Sequence, residues 1–251
     1  MGKTFVMGDI HGNARGLKQC LERSGFDFKH DRLIQLGDVA DGWPESSECV
    51  DILLTIENFI GIRGNHCAFV RDWFLTGKKH IVWTEHGGGT TISNYINTGK
   101  MMDPFHKMFW DDQVDYFIDE KNRLYIHAGW DYHYGFPAGA LLASGYGKEH
   151  RECHWNRGLL MKAKDIEGKG AFPALEQFKE IFIGHTKTLD SLPHQYFNLW
   201  QMDTGSGWHG KLTIMDVDTK EFWQSDWVTL LHPDSLGRSR MSGNWKLKDR
   251  L

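Results

Sequence analysis

Thr4-Phe5-Val6-Met7-Gly8-Asp9-Ile10-His11-Gly12 is the stretch whose reading decides the fold: an apolar run, then a glycine-paired acid and an imidazole. The pattern recurs down the chain. Residues 32–36 run into Gly37-Asp38-Val39-Ala40-Asp41, and 58–63 into Gly64-Asn65-His66. Arg123–Ile126 precedes His127-Ala128-Gly129, and Glu180–Ile183 precedes Gly184-His185-Thr186. A short apolar run stopped by glycine reads as a buried strand ending in a turn. Between the first three strands lie two helical patterns. Residues 12–23 place Leu17, Cys20 and Leu21 on one face. A second pattern starts at Ser46 as cap, with Val50, Leu53 and Leu54 inside and Glu48 and Asp51 adding acid to its first turns. This βαβαβ rhythm predicts a mostly parallel sheet with right-handed crossovers.

Further along, 68–119 reads as mainly helical, broken by Gly87-Gly88-Gly89 and Asp103-Pro104, and holds much of the aromatic excess. Aromatics at helical spacing read first as packing against the sheet, ahead of a substrate-gripping cap. Runs at 197–202, 211–217 and 221–224 read as antiparallel strands, with Asp218-Thr219-Lys220 turning between the last two. The expected organisation is one catalytic domain over 1–232 and a polar, basic, peripheral tail over 233–251 (Arg238, Arg240, Lys246, Lys248, Arg250). With 40% hydrophobic and 25% charged residues, the composition excludes wholesale disorder. A net charge of −4 supplies no bulk field for nucleic acid or anionic membrane, so stable binding to either is not expected. No apolar stretch approaches the roughly 20 residues that span a bilayer. Four scattered cysteines without Cys-x-x-Cys spacing argue against disulfides or structural zinc, and the N-terminus enters a strand without a signal peptide. Both point to a soluble cytoplasmic protein; oligomeric state is not legible.

Side chains placed just after strand C-termini converge at one edge of an α/β sheet. Five strand ends thus deliver Asp9, His11, Asp38, Asn65, His127 and His185 to one place. Carboxylates, an amide oxygen and imidazoles without thiolate suit two divalent ions of the Mn, Fe or Zn kind. A lone Gly-Asp pair is ordinarily a turn and an isolated histidine ordinarily a surface or core residue; His86, His106, His154 and His232 are read that way. The ordered set escapes that reading because each motif sits behind its own strand. Arg63 reads as a structural ion-pair partner.

Taken together, these motifs resemble the phosphoprotein phosphatase branch of the calcineurin-like metallophosphoesterases, in its short bacterial and phage form. The likeness runs in family order from Gly8 to about Leu212, with Trp155-Asn156-Arg157 and Asp203-Thr204-Gly205 as further matching segments. It implies an α/β sandwich of two mixed β-sheets flanked by helices. It implies one metal on Asp9, His11 and Asp38, a second on Asp38, Asn65, His127 and His185, and Asp38 as the bridge, with Mn the leading identity. A hydroxide activated by both ions would attack phosphorus in line. His66 would be the general acid, Asp41 would orient its ring, and Asn65 and Arg157 would bind the substrate phosphate. The implied activity is phosphomonoester hydrolysis on phosphoserine or phosphothreonine of proteins, extending to phosphotyrosine. Hydrolysis of diadenosine polyphosphates or other small phosphoesters is the alternative, and a non-catalytic binding module the remote one.

The chain also departs from the family pattern. Arg-Gly follows the Asp41 position there, whereas Gly42-Trp43 stand here before Pro44. One phosphate-gripping guanidinium is therefore missing, with Arg15, Arg71 and Lys187 as candidate substitutes. That gap, with Trp43 and Trp130 as potential exposed stacking faces, motivates the nucleotide alternative. Cys67 replaces the acid that usually follows the Asn-His pair and reads as a packed residue, ahead of a redox thiol.

Overall fold

The computed structural model describes residues 2–142 and 151–238, and among them ten strands form two five-stranded sheets. Strand β1 (Thr4–Met7), helix α1 (Ala14–Arg23), β2 (Arg32–Gln35), α2 (Ser46–Leu53) and β3 (Asn58–Gly61) follow the predicted rhythm. After them come helices α3 (Asn65–Thr76), α4 (Ile81–Trp83), α5 (Gly89–Thr98) and α6 (Pro104–Asp111). Next are β4 (Tyr116–Ile118), β5 (Arg123–Ile126), α7 (Ala138–Leu141), α8 (Glu152–Trp155), α9 (Gly158–Ile166) and β6 (Glu180–Ile183). The described chain ends with β7 (His194–Tyr196), β8 (Leu199–Gln201), β9 (Thr213–Asp216), β10 (Phe222–Gln224) and α10 (Val228–Leu231).

One sheet has the order β10-β9-β1-β2-β3 and the other β4-β5-β6-β8-β7. Period-two alternation explains how they stack. Phe5 and Met7 of β1 face the layer of helices, whereas Val6 between them faces the other sheet. Val6, Ile34 and Met215 of the first sheet meet Tyr125 and Phe182 of the second in one cluster, joined by Ile62 and Met202 just past β3 and β8. Tyr125 and Phe182 stack there, with ring centroids 5.1 Å apart. Each fully buried side chain of this kind contributes roughly 1.5–3 kcal/mol. Helices cover both outer faces, so the layers run α/β/β/α, as expected.

The first sheet is parallel through β1, β2 and β3 and antiparallel through β9 and β10, the mixed sheet expected. Other expectations need correction. Helical structure in the middle segment ends at Asp111, and Tyr116–Ile118 is an edge strand paired with β5. Its half-buried, three-residue pattern is too short to carry a period. The run at 197–202 divides, because Phe197 at φ +56° turns the chain between β7 and β8. Ser46 does not cap α2 through its side chain; its hydroxyl meets the Thr91 hydroxyl at 3.0 Å. Nor is the start of the tail peripheral: 233–238 folds back onto the first sheet's loops, while 239–251, with Arg240, Lys246, Lys248 and Arg250, lies outside the described residues. No helix among the described residues is long and apolar enough to cross a membrane.

Candidate metal centre and active site

Strands β1, β2 and β3 end at the same edge as β5 and β6 of the other sheet, and all six predicted ligands meet there. Both oxygens of Asp9 accept from the His185 backbone N–H at 3.1 Å, which ties the first sheet to the second. Asp38 Oδ1 accepts from the His66 N–H at 2.9 Å. His11 Nδ1 lies 3.1 and 3.0 Å from the Ala40 and Asp41 carbonyls, and His127 Nδ1 lies 2.7 Å from the Leu36 carbonyl. Carbonyls only accept, so in both rings Nδ1 carries the proton and Nε2 is left as the ligand atom. His11 Nε2 lies 3.8 Å from Asp38 Oδ2, and His127 Nε2 lies 3.4 Å from the same oxygen. Asn65 Oδ1 is 3.2 Å from His127 Nε2. His185 Nε2 is buried with no hydrogen-bond partner.

This convergence distorts the backbone. His11, Asp38, Asp41 and His185 all adopt left-handed φ, between +51° and +77°. Non-glycine residues there cost about 1–3 kcal/mol each, a strain characteristic of functional sites. Two motif glycines serve close approach rather than turning. A Cβ on Gly64 would sit 2.1 Å from Asp38 Oδ1, and one on Gly184 would sit 2.1 Å from Asp9 Oδ1. Each glycine opens space for a carboxylate oxygen delivered by a different strand.

The donor atoms form two groups, Asp9/His11/Asp38 and Asp38/His127/His185, each with its ligand atoms within 4.8 Å of one another. Asp38 belongs to both. Burial, followed by the Asp203 and Asp38 charges, holds the Asp9 carboxyl well above the usual range. For Asp38 burial also pushes upward, but the imidazoles of His127 and His66 outweigh it and hold the group well below. Burial, then Arg238, depresses His11; burial, then His127 and Arg157, depresses His185. Crowded carboxylates beside neutral imidazoles and an orphaned Nε2 fit two divalent cations sharing Asp38. A third cluster, Asp115/Cys153/His154, is a poorer cation site. Arg63 and Arg151 lie 3.6 and 3.4 Å from Asp115, and burial pushes the Cys153 thiol up.

Beside the donor groups, Asp41 Oδ2 accepts from His66 Nδ1 at 2.6 Å. The same oxygen accepts from Trp83 Nε1 at 2.6 Å, and Oδ1 accepts from the Thr91 hydroxyl at 2.6 Å. The aromatic-rich middle segment therefore packs on the sheet and also grips Asp41. Sequence reasoning left Trp83 in the core and passed over Thr91. Nothing local marks either, because the contacts span 42 and 50 residues. Arg157 donates to the Thr186 hydroxyl at 3.0 Å and the His185 carbonyl at 3.4 Å.

A cavity of about 220 Å³ opens here, lined by Asp38, Asn65, His66, Arg157, His185 and Arg238 among others. None of the candidates for the missing guanidinium lines it. Arg15 pairs with Glu45 at 2.7 Å, Arg71 with Asp111 at 2.7 Å, and Lys187 sits over the Trp208 ring. His86, read as ordinary, is on the cavity wall. Trp43 and Trp130 are buried, 1% and 0% exposed, so neither offers a stacking face to a base. Cys67 is fully buried, its thiol pushed up to about 12 by burial and then by Asp38, which makes it a packed residue. Arg63 binds the Asp111 carbonyl at 2.9 Å as well as Asp115, the structural role expected of it.

Comparison with known proteins follows the same line. The calcineurin-like phosphoesterase family model matches residues 2–249. The chain is 33% identical to serine/threonine-protein phosphatase 1 of Salmonella typhimurium, over 85% of this chain and 91% of that protein. It is 35% identical to a symmetrical bis(5'-nucleosyl)-tetraphosphatase of Coxiella burnetii, over 91% of this chain and 93% of that one. A protein serine/threonine phosphatase structure from Saccharomyces cerevisiae superposes with a TM-score of 0.60 at 16% identity, covering 95% of this chain and 83% of that one. At that identity the superposition speaks to fold alone. The chain belongs to the calcineurin-like phosphoesterases and is a phosphoric ester hydrolase.

Proposed function

We propose that the protein is a metal-dependent phosphomonoesterase acting on phosphoserine and phosphothreonine in proteins, with phosphotyrosine as a further substrate. The observation that carries this reading is the 2.6 Å pair of His66 Nδ1 and Asp41, set beside the shared ligand Asp38 in one cavity. Asp9, His11 and Asp38 would hold one cation, and Asp38, Asn65, His127 and His185 the other. Two Mn²⁺ ions bound there would neutralise phosphate oxygens and acidify an attacking water. His66, with Nδ1 anchored on Asp41, presents Nε2 to the leaving oxygen and hands it a proton. Trp83 and Thr91 keep the Asp41 carboxylate from rotating away. Arg157 lends charge-assisted hydrogen bonds to the phosphate, as does the Asn65 side chain.

Cavity size favours a protein substrate. At about 220 Å³ it falls below the roughly 300–1,000 Å³ that encloses a drug-sized ligand, and so suits a phosphoryl group whose carrier stays outside. Similarity to the Coxiella burnetii tetraphosphatase supports a second reading, diadenosine polyphosphate hydrolysis. Burial of Trp43 and Trp130 removes the base-stacking faces it called on. The test is phosphate release from phosphoserine and phosphothreonine peptides with Mn²⁺, run against diadenosine tetraphosphate. Faster turnover of the peptides is expected; faster symmetric cleavage of the dinucleotide would replace this reading with the second.

A further inference from the structure

We propose that Arg238, from the start of the C-terminal tail, is a second phosphate-binding guanidinium of this site. The inference rests on the phosphoesterase reading and names how its substrate is gripped. Four observations place the residue. Its stem fills the volume that a side chain at position 42 would take: a Cβ on Gly42 would sit 2.9 Å from Arg238 Cγ, and one on Gly87 3.4 Å from it. Its guanidinium lies over the Trp208 ring, 4.8 Å from the centroid. Nη1 meets His11 Nε2 at 3.2 Å, and Nε is buried with no partner. The side chain also lines the cavity that holds His66 and Arg157.

The tail is docked firmly enough to aim it. Trp43 stacks on His232 with centroids 4.9 Å apart and donates to the Ser206 carbonyl at 2.6 Å. Gly237 lies flat on that indole, where a Cβ would come within 2.7 Å of the ring. His232 Nε2 meets Asn13 Oδ1 at 2.9 Å, which fixes the other end of the segment to the loop after β1. Gly42 and Gly237 thus work as a pair, one emptying the space and the other letting the tail reach it.

A guanidinium has five donors in a planar fork, and among the described residues this one makes a single hydrogen bond, to an imidazole nitrogen in the candidate metal site. With His11 Nε2 engaged by a cation, that bond would be given up, leaving the guanidinium of this cavity-lining residue without an acceptor among the described residues. A tetrahedral oxyanion is the ligand that satisfies its donors, because carboxylate and phosphate oxygens match the fork. Stacking on Trp208 holds the plane while leaving its edge open.

The experiment compares the full chain with Arg238→Gln and Arg238→Lys. Inorganic phosphate is titrated calorimetrically into Mn²⁺-loaded protein, alongside p-nitrophenyl phosphate kinetics, Mn²⁺ content and thermal midpoint. Arg238→Gln should weaken phosphate binding about tenfold or more, the worth of a charge-assisted hydrogen bond. KM should rise by a similar factor, with kcat changed less. Arg238→Lys should recover part of the loss, and Mn²⁺ content and midpoint should stay at parent values. Unchanged phosphate affinity in Arg238→Gln overturns the proposal, and so does loss of Mn²⁺ with it, which would make the residue part of the metal site's framework. If the parent hydrolyses no phosphomonoester while Arg238→Gln still binds phosphate tenfold more weakly, the proposed function fails and Arg238's role stands. If the parent is active and its affinity for phosphate matches the variant's, the reverse holds.

Discussion

Asp38 carries more of the site than any other side chain, since one carboxylate belongs to both donor groups and also accepts from the His66 backbone. Asp38→Asn should therefore reduce Mn²⁺ content and phosphatase activity together, the latter by about 100-fold or more by analogy with lost metal-site groups. Retention of both ions in that variant would remove Asp38 from the bridging position. His66 makes a different prediction, because a proton donor matters in proportion to how poor the leaving group is. His66→Asn should keep its metal, slow alkyl phosphates by about 10²–10⁴, and slow p-nitrophenyl phosphate far less. Equal losses on the two would contradict the acid assignment. At this scale the convergence of the six candidate ligands was legible in the sequence because they sit in short motifs just past five strand ends, Asp9 and His11 sharing the first. Arg238 was not, because its contact with His11 spans 227 residues and leaves no local trace.

Among the elements, the middle helices connect packing to chemistry. Trp83 at the end of α4 is fully buried against Trp73, and its N–H points the other way, to Asp41. Thr91 in α5 donates its hydroxyl to the same carboxylate and accepts from the Asp41 N–H at 3.0 Å. A hydrogen bond to a buried charge contributes about 1.5–3 kcal/mol. Thr91→Val should accordingly lower kcat by roughly ten- to a hundredfold, by that measure, without changing Mn²⁺ content. Parent kcat in Thr91→Val would show that Asp41 needs no support from this segment. Strands β1, β5 and β6 were readable to the residue, since each is a short, mainly apolar run that stops at a motif. Strand β4 and the break at Phe197 were not. A three-residue edge strand is half exposed and shows no clear alternation, and a left-handed φ at Phe197 is imposed by tertiary context.

For the molecule as a whole, the two sheets must stay stacked for their strand ends to form one site, and cations shared between them should tighten that stacking. A ligand at 100 times its dissociation constant adds about 2.7 kcal/mol to stability. Chelation should lower the thermal midpoint, and Mn²⁺ should restore it; an unchanged midpoint would mean that the centre forms no part of the folded framework. Acid should act at a second place. Burial, then Arg15, lowers the His232 pKa from 6.5 to about 4; Glu45, 3.8 Å away, also faces the ring. A depressed histidine pKa means that the unfolded chain binds the proton first, so this stability is present above about pH 6.5 and is lost as pH falls toward 4. His232→Gln should flatten the fall of the midpoint between those limits, and an identical acid profile would exclude His232 as its source. The central claim, that side chains from both sheets hold two cations about Asp38, is tested most directly by anomalous diffraction at the manganese edge from Mn²⁺-grown crystals. Two peaks are predicted, one bonded to Asp9 and His11 and the other to Asn65, His127 and His185, with Asp38 reaching both. A single peak, or density only at Asp115, Cys153 and His154, would contradict the account.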